Sequence, residues 1–80
     1  MTKDLPQVGV TEHPLAEREC VIVLINYSPE AVEPALYLAA GWAPEASWYG
    51  RLPERGGEGW RCKIPANDTA VFTVCYPTIK

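Results

Sequence analysis

Alternation of apolar and polar residues along the chain predicts about six short strands. Eight prolines and six glycines interrupt the sequence at intervals close to the length of a strand and leave little room for helices. The predicted strands cover residues 7–15, 20–27, 35–39, 47–50, 59–64 and 69–75. Short strands separated by frequent turn residues are typical of an antiparallel β-sandwich, so we predict a small all-β domain with two sheets around one core.

The strongest signal is an unbroken run of Val, Ile and Leu over residues 21–25. A strand with one wet face alternates in polarity, and this run does not, so it predicts a central strand covered on both faces or nearly so, with its odd-numbered residues partly covered. A helix is the competing interpretation. The β-branched residues and the stop at Asn26-Tyr27-Ser28-Pro29 favour a strand. Pro29 suits the second position of a type I turn, with the Ser28 side chain bonding the turn backbone.

The other strands supply the rest of the predicted core. Apolar residues alternate cleanly with basic ones over residues 59–64, and Gly56-Gly57 before them mark a hairpin tip. The last strand carries Val71 on one face and Phe72 on the other, so its inward face stays undetermined. The predicted core residues are Ile22, Leu24, Leu36, Leu38, Trp60, Ile64, Val71 and Phe72.

Length and charge narrow the class of protein. Eighty residues make one domain, with a predicted core over residues 12–76 and flexible ends at 1–6 and 77–80. Binding to phosphate needs a basic field, and the net charge is −3, so neither nucleic acid nor a membrane surface is an expected partner. No apolar run approaches the ~20 residues of a membrane span, and the N-terminus lacks the apolar region of a signal peptide.

Three cysteines, Cys20, Cys62 and Cys75, are too widely spaced for a zinc or redox motif. Each sits among apolar residues, so we predict small buried hydrophobic side chains. One disulfide with a spare thiol would require two of them to be adjacent across strands. Free thiols and the lack of a leader favour a reducing compartment such as the cytoplasm, but localisation is otherwise undetermined.

Catalytic residues are scarce. A Ser-His-acid or Cys-His arrangement would need His13, the single histidine, beside a nucleophile, and Cys20 and Ser28 are the nearest candidates. Neither sits in a motif, so His13 is predicted to be an exposed surface residue. One histidine among scattered carboxylates does not make a ligand set, and we predict no metal site, no cofactor and no enzymatic activity.

A glycosidase pair of carboxylates is the remaining catalytic option. A small sandwich offers no deep cleft for it, so the carboxylates are predicted to be solvated loop charges. Those residues are Glu30, Glu33, Glu45, Glu54 and Glu58.

Aromatic residues are abundant, with three tryptophans in the chain. A flat row of Trp42, Trp48 and Tyr49 would stack on sugar rings, because an indole buries a large apolar face at small entropic cost. Packing within the core or against a neighbouring domain competes with this hypothesis. In that case Trp48 and Trp60 fill the core and Trp42 caps it.

Two motifs in order suggest a family. The hydrophobic strand ends in Asn26-Tyr27-Ser28, and the last strand is introduced by "IPANDTAV" at residues 64–71. With these motifs, residues 12–76 resemble the C-terminal β-sandwich domain that follows the catalytic barrel in glycoside hydrolases of the β-galactosidase and α-amylase kinds. The barrel itself needs ~200 residues or more and is missing, so no catalytic residue is carried over.

The resemblance implies a non-catalytic, stabilising domain whose partner is the catalytic barrel of the same parent chain. It predicts an exposed apolar patch on one sheet of the isolated domain. One alternative is a carbohydrate-binding module that uses the exposed aromatic residues. Another is a stand-alone interaction module that adds a strand to a partner through an open sheet edge.

Overall fold

The predicted small all-β fold is confirmed. The computed structural model describes residues 2–3, 7–39, 41–57 and 59–76. Within these ranges the chain forms eight strands and no helix. The strands are β1 (Thr2–Lys3), β2 (Val8–Ala16), β3 (Glu19–Asn26), β4 (Ala35–Tyr37), β5 (Ala43–Tyr49), β6 (Glu54–Gly56), β7 (Gly59–Arg61) and β8 (Thr69–Cys75). They pair antiparallel into a small sheet, β1-β4-β7-β6, and a large sheet, β2-β3-β8-β5.

The hydrophobic run of residues 21–25 lies in β3, between β2 and β8 at the centre of the large sheet. On its inner face, Ile22 and Leu24 are buried in the core. On its outer face, Val21 is buried and Val23 and Ile25 are half-buried, although no strand of the described chain lies over them. The predicted central position is confirmed, and the outer face of the strand is partly covered, as predicted for its odd-numbered residues.

The core lies between the inner faces of the two sheets. Phe72 of β8 stands opposite Ile22 of β3, and cross-strand partners share a face, so both point inward. Val71 points to the outer face and is half-buried, so its predicted place in the core is wrong. The core consists of Val8, Cys20, Ile22, Leu24, Leu36, Cys62, Ile64, Ala70, Phe72 and Val74, with Leu38 and Trp60 packed partly buried against it.

A buried amide joins the two loops at one end of the sandwich. Asn26 is 1% exposed, and its Nδ2 donates to the carbonyls of Glu30 (2.8 Å), Ile64 (3.3 Å) and Pro65 (2.9 Å). Its Oδ1 accepts from the backbone N–H of Ser28 at 2.8 Å. The Ser28 hydroxyl accepts from the backbone N–H of Glu30 at 3.1 Å, which confirms the predicted side-chain bond in the turn. The Asn-aromatic-Ser motif is therefore a structural clamp.

The small sheet is built from very short strands. β6 and β7 form the predicted hairpin, and Gly57 at its tip adopts the left-handed conformation with φ of 63°. β7 approaches β4 so closely that a Cβ on Gly59 would lie 2.5 Å from the Leu36 carbonyl oxygen. The predicted strand 59–64 ends early at Arg61, and Ile64 instead forms an isolated bridge with Val32.

Ordered structure extends further toward the N-terminus than predicted. Thr2 and Lys3 pair with Tyr37 and Leu36, and Val8 is fully buried. The core thus begins before residue 12, and residues 2–3 form a strand instead of a flexible end. The rest of the predicted flexible ends, at 1, 4–6 and 77–80, lies outside the described residues.

Unequal strand lengths give the molecule an elongated shape of 44 × 25 × 17 Å. β2 and β3 have nine and eight residues, whereas the strands of the small sheet have two or three. The large sheet therefore projects beyond the small one, and part of its inner face lacks a facing strand.

Candidate functional site

Two concave surfaces lie at opposite ends of the large sheet. The first, the hairpin cleft, is formed by the β2–β3 hairpin together with Trp42 and Val74. The second, the Tyr49 groove, includes Tyr49 and Asp68. β5 and β8 run antiparallel between the two, and seven residues of extended strand place them about 20 Å apart.

The hairpin cleft forms where the large sheet projects, and it encloses about 290 Å³. Pro14, Ile22 and Val74 line it from the large sheet, and Leu38 and Trp42 line it from the segment that follows β4. These are the side chains that a longer small sheet would cover. The described chain thus leaves the core open at this end.

The mouth of the hairpin cleft is acidic. Glu12, Glu17 and Glu19 contribute to its lining, while Leu15 at the hairpin tip is 51% exposed. Arg18 does not line the cleft; its guanidinium lies over the Tyr76 ring, 5.6 Å from the centroid. An apolar hollow edged by carboxylates suits an apolar anchor that is flanked by basic groups.

At the other end, the Tyr49 groove is a wider and more polar hollow of about 530 Å³. The Tyr49 hydroxyl donates to Asp68 Oδ1 at 3.1 Å, and the same oxygen accepts from the Thr69 backbone N–H at 2.8 Å. This hydrogen bond, together with the carboxylate charge, raises the pKa of Tyr49. The Tyr49 ring is therefore a protonated phenol held in one orientation on the surface.

Two basic side chains, Arg51 and Lys63, also line the Tyr49 groove. Gly50, with φ of 80°, turns the chain from β5 toward Arg51. Among the residues that the structure describes, neither basic group forms an ion pair or hydrogen bond through its charged end. Asp68 lines the same groove and brings a carboxylate to it.

The predicted aromatic row is not assembled. Trp48 and Tyr49 are 60% and 54% exposed and adjacent on β5, but Trp42 lies beyond the far end of that strand. Trp42 packs against the core and tilts toward Tyr76, with ring centroids 6.0 Å apart. The competing prediction that Trp48 fills the core is wrong, whereas Trp60 does pack against it.

His13 has no nucleophile beside it. It is exposed and hydrogen-bonded to Thr11 Oγ1 at 3.0 Å. In the β2–β3 register His13 opposes Val21 and Pro14 opposes Cys20, so His13 and Cys20 project from opposite faces of the sheet. Ser28 follows the other end of β3. The structure brings together no Cys-His or Ser-His pair from these residues.

Two of the predicted loop carboxylates lie in strands, Glu45 in β5 and Glu54 in β6, whereas Glu58 lies outside the described residues. Glu45 accepts a hydrogen bond from Thr73 Oγ1 at 3.2 Å and raises the pKa of Glu19 by hydrogen bonding and charge repulsion. No group of three or more His, Cys, Asp or Glu residues suited to a metal ion occurs in the described part of the chain.

All three cysteines are free thiols in different surroundings. Cys20 and Cys62 are buried as predicted, and Cys75 is half-buried. Burial raises the pKa of Cys62 to about 11. Burial and the charges of Glu45 and Glu19 also raise the pKa of Cys75.

At pH 8 a thiol-disulfide reagent is expected to modify Cys75 first and Cys62 and Cys20 only as the domain unfolds. Raising a thiol pKa from 9 to about 11 lowers its thiolate fraction at pH 8 by about 100-fold, and the thiolate is the reacting form. The absorbance of the coloured thiolate that the reagent releases, followed with time, gives the rate at which each cysteine reacts. Cys75→Ser should remove the fast phase, and three equal rates in the folded protein would contradict the assignment.

Sequence reasoning found Tyr49 but missed Arg51, Lys63 and Asp68 as site residues. It placed Arg51 in a polar loop, Lys63 in the predicted strand 59–64 and Asp68 in a turn. Arg51 lies in the connection between β5 and β6, and Lys63 and Asp68 lie in the connection between β7 and β8, so only the strand order brings them together. The hairpin cleft was missed for a similar reason. Its walls depend on the difference in strand length between the sheets.

Models of known protein families, curated protein sequences and solved structures gave no match to this chain. Nor does the described part contain a helix that is long and apolar enough to cross a membrane. The case for a function therefore depends on the two concave surfaces and on the motifs.

Proposed function

We propose that this chain is a non-catalytic β-sandwich domain that packs on a neighbouring domain of the same polypeptide and stabilises it. The hairpin cleft carries the proposal. Core residues such as Ile22 and Val74 line an open hollow there, and Leu15 stands exposed beside it. An apolar surface of this kind at the end of a thin core is typical of a contact with another domain.

The expected neighbour is the catalytic barrel of a glycoside hydrolase, and the support for it is the resemblance described above. The clamp at Asn26 and Ser28 accounts for one of its motifs in structural terms. The role of the domain is to cover apolar surface on the barrel flank, while chemistry takes place at the barrel mouth. The acidic rim of the hairpin cleft favours a barrel surface with basic residues around an apolar side chain.

Hydrogen exchange would test this proposal by comparing the isolated chain with the full polypeptide encoded by the natural reading frame. We expect stronger protection in the full protein over residues 12–20, 38–39 and 41–42, which surround the hairpin cleft. Residues 63–68, at the other end, should exchange equally in both. A reading frame that encodes no second domain, or equal exchange around the cleft, would refute the proposal.

A matched pair of substitutions tests the same proposal by measuring stability. Ala16 lines the hairpin cleft and Ala66 is an exposed turn residue at the opposite end. Ala16→Glu should destabilise the full protein by about 2 kcal/mol, because a larger side chain with a charge is forced into a close apolar contact. Ala66→Glu should have almost no effect. Neither should change the thermal unfolding of the isolated domain by more than about 0.5 kcal/mol.

A further inference from the structure

We infer that the Tyr49 groove binds a sugar residue that carries an anionic substituent, a carboxylate or a sulfate. The inference goes beyond the proposed docking role and relocates the predicted carbohydrate site. Of the predicted residues only Tyr49 lines the groove. Trp42 and Trp48 do not, and Arg51, Lys63 and Asp68 are added. Because the groove and the hairpin cleft lie at opposite ends of the large sheet, both can be occupied at once.

The stacking surface is the ring of Tyr49. The ring is 54% exposed, and its hydroxyl is anchored on Asp68 at 3.1 Å. A ring already held in place loses little conformational freedom on binding, so its apolar face is available for the C–H groups of a pyranose. Pro65 and Ala31 extend the same surface with small apolar groups.

Asp68 supplies the acceptor that sugar hydroxyls require. Its Oδ1 already accepts from Tyr49 and Thr69. Its Oδ2 accepts no hydrogen bond within the described ranges, and both oxygens of a carboxylate are strong acceptors. A fixed carboxylate beside an aromatic ring thus offers polar and apolar recognition to one sugar.

Arg51 and Lys63 determine the charge of the ligand. Both line the groove, and neither forms an ion pair among the described residues, although the whole chain carries a net charge of −3. Together they outnumber the single carboxylate of Asp68 in the groove. A guanidinium binds carboxylate or sulfate in a two-pronged geometry, and an ammonium adds a point charge, so an acidic sugar fits better than a neutral one.

Titration of the folded, isotope-labelled chain would test the inference by NMR. The probes are a glucuronate disaccharide, a sulfated disaccharide, a neutral disaccharide of the same size and sodium sulfate. We expect saturable shifts at residues 49–51 and 63–68 with an acidic sugar, at a Kd of about 1 mM or below. The neutral sugar and inorganic sulfate should each bind at least about 10-fold more weakly.

Single substitutions in the groove identify the residues that contact the sugar. Arg51→Gln and Lys63→Gln should each weaken binding of the acidic sugar about 5-fold, and Tyr49→Ala about 10-fold. Arg61→Gln is the matched control, because Arg61 is an exposed arginine on β7, outside the groove. Ala16→Glu at the hairpin cleft should leave sugar binding unchanged. Because Ala16→Glu affects only the docking surface and the groove variants affect only sugar binding, the docking proposal and the sugar-binding inference can fail independently.

Three results would overturn the inference. One is the absence of shifts in the groove with either acidic sugar at about 10 mM, a concentration that would reveal even weak binding. Another is equal affinity for the neutral sugar, which would leave Arg51 and Lys63 without a role. The third is equal affinity for inorganic sulfate, which would mean that the groove holds an anion without recognising the sugar.

Discussion

Replacing Asn26 with alanine is expected to lower the free energy of unfolding by about 3 kcal/mol. The substitution removes the three bonds that Nδ2 donates and the one that Oδ1 accepts. It also leaves the carbonyl of Ile64 without this donor at a buried position. A domain of this size has a total stability of about 4–12 kcal/mol, so the loss is a large share. Thermal unfolding should show a midpoint roughly 15 °C lower.

An isosteric variant separates hydrogen bonding from packing. Asn26→Asp keeps the shape and the acceptor for the Ser28 N–H, but it turns an oxygen toward the carbonyls of Glu30, Ile64 and Pro65. At neutral pH we expect it to be at least as destabilising as Asn26→Ala, because a carboxylate has no proton to donate. If Asn26→Asp were as stable as the unsubstituted protein, the clamp would have no energetic role.

The matched control is Ser28→Ala. The Ser28 side chain makes one bond, from the Glu30 N–H at 3.1 Å, in an exposed setting. Losing it should cost about 0.5–1 kcal/mol, since water can replace an exposed partner. If Ser28→Ala lowered the free energy of unfolding as much as Asn26→Ala, the turn bond of Ser28 would stabilise the loop as much as the buried Asn26 amide does.

Local patterns predicted the strands of the large sheet well, because those strands are long enough to carry a pattern. β8 has the predicted bounds of residues 69–75, and β3 differs from its predicted range by one residue at each end. β5 begins at Ala43, four residues before the predicted range of 47–50, and it includes Pro44. β5 is the edge strand of the large sheet, where a proline is tolerated because no partner needs its N–H.

The candidate sites depend on topology, which a single sequence does not specify. Trp42 and Tyr49 are seven positions apart in sequence, and the extended course of β5 sends them to opposite ends of the sheet. Conversely, Arg51, Lys63 and Asp68 are spread along the chain and meet at one end. Tyr49 is exposed, as the hypothesis of a carbohydrate site requires. Which residues lie beside it could not be predicted without the strand order.

The two proposals assign different functions to the two ends of one sheet. At the hairpin cleft the core is unfinished, and apolar side chains meet an acidic rim. At the Tyr49 groove the Asn26 clamp ties the loop that carries Pro65 and Asp68 to the loop that follows β3. A rigid loop end suits ligand recognition, and an open core suits attachment to another domain. A domain anchored by its cleft would therefore present the groove to solvent.

Replacing Phe72 with alanine should be the most destabilising single substitution in the chain, at about 3–5 kcal/mol. Phe72 is 0% exposed and is the largest fully buried side chain in the described structure. It lies opposite Ile22 at the centre of the large sheet, so the surrounding strands cannot collapse into the space that its ring leaves. Equilibrium unfolding in urea should show a lower midpoint with the same slope.

Val71→Ala is the matched control, because Val71 is the next residue on β8 and points to the opposite face, where it is half-buried. Its loss should cost about 1 kcal/mol, from a smaller apolar area and a lower strand propensity. The sequence alone does not determine which face of β8 points into the core. The ratio of the losses in free energy of unfolding for Phe72→Ala and Val71→Ala determines it. A Val71→Ala loss equal to or greater than that of Phe72→Ala would mean that β8 presents its other face to the core. Because β3 and β5 both pair with β8, the assignment of which side chains of β3 and β5 point into the core would then be wrong as well.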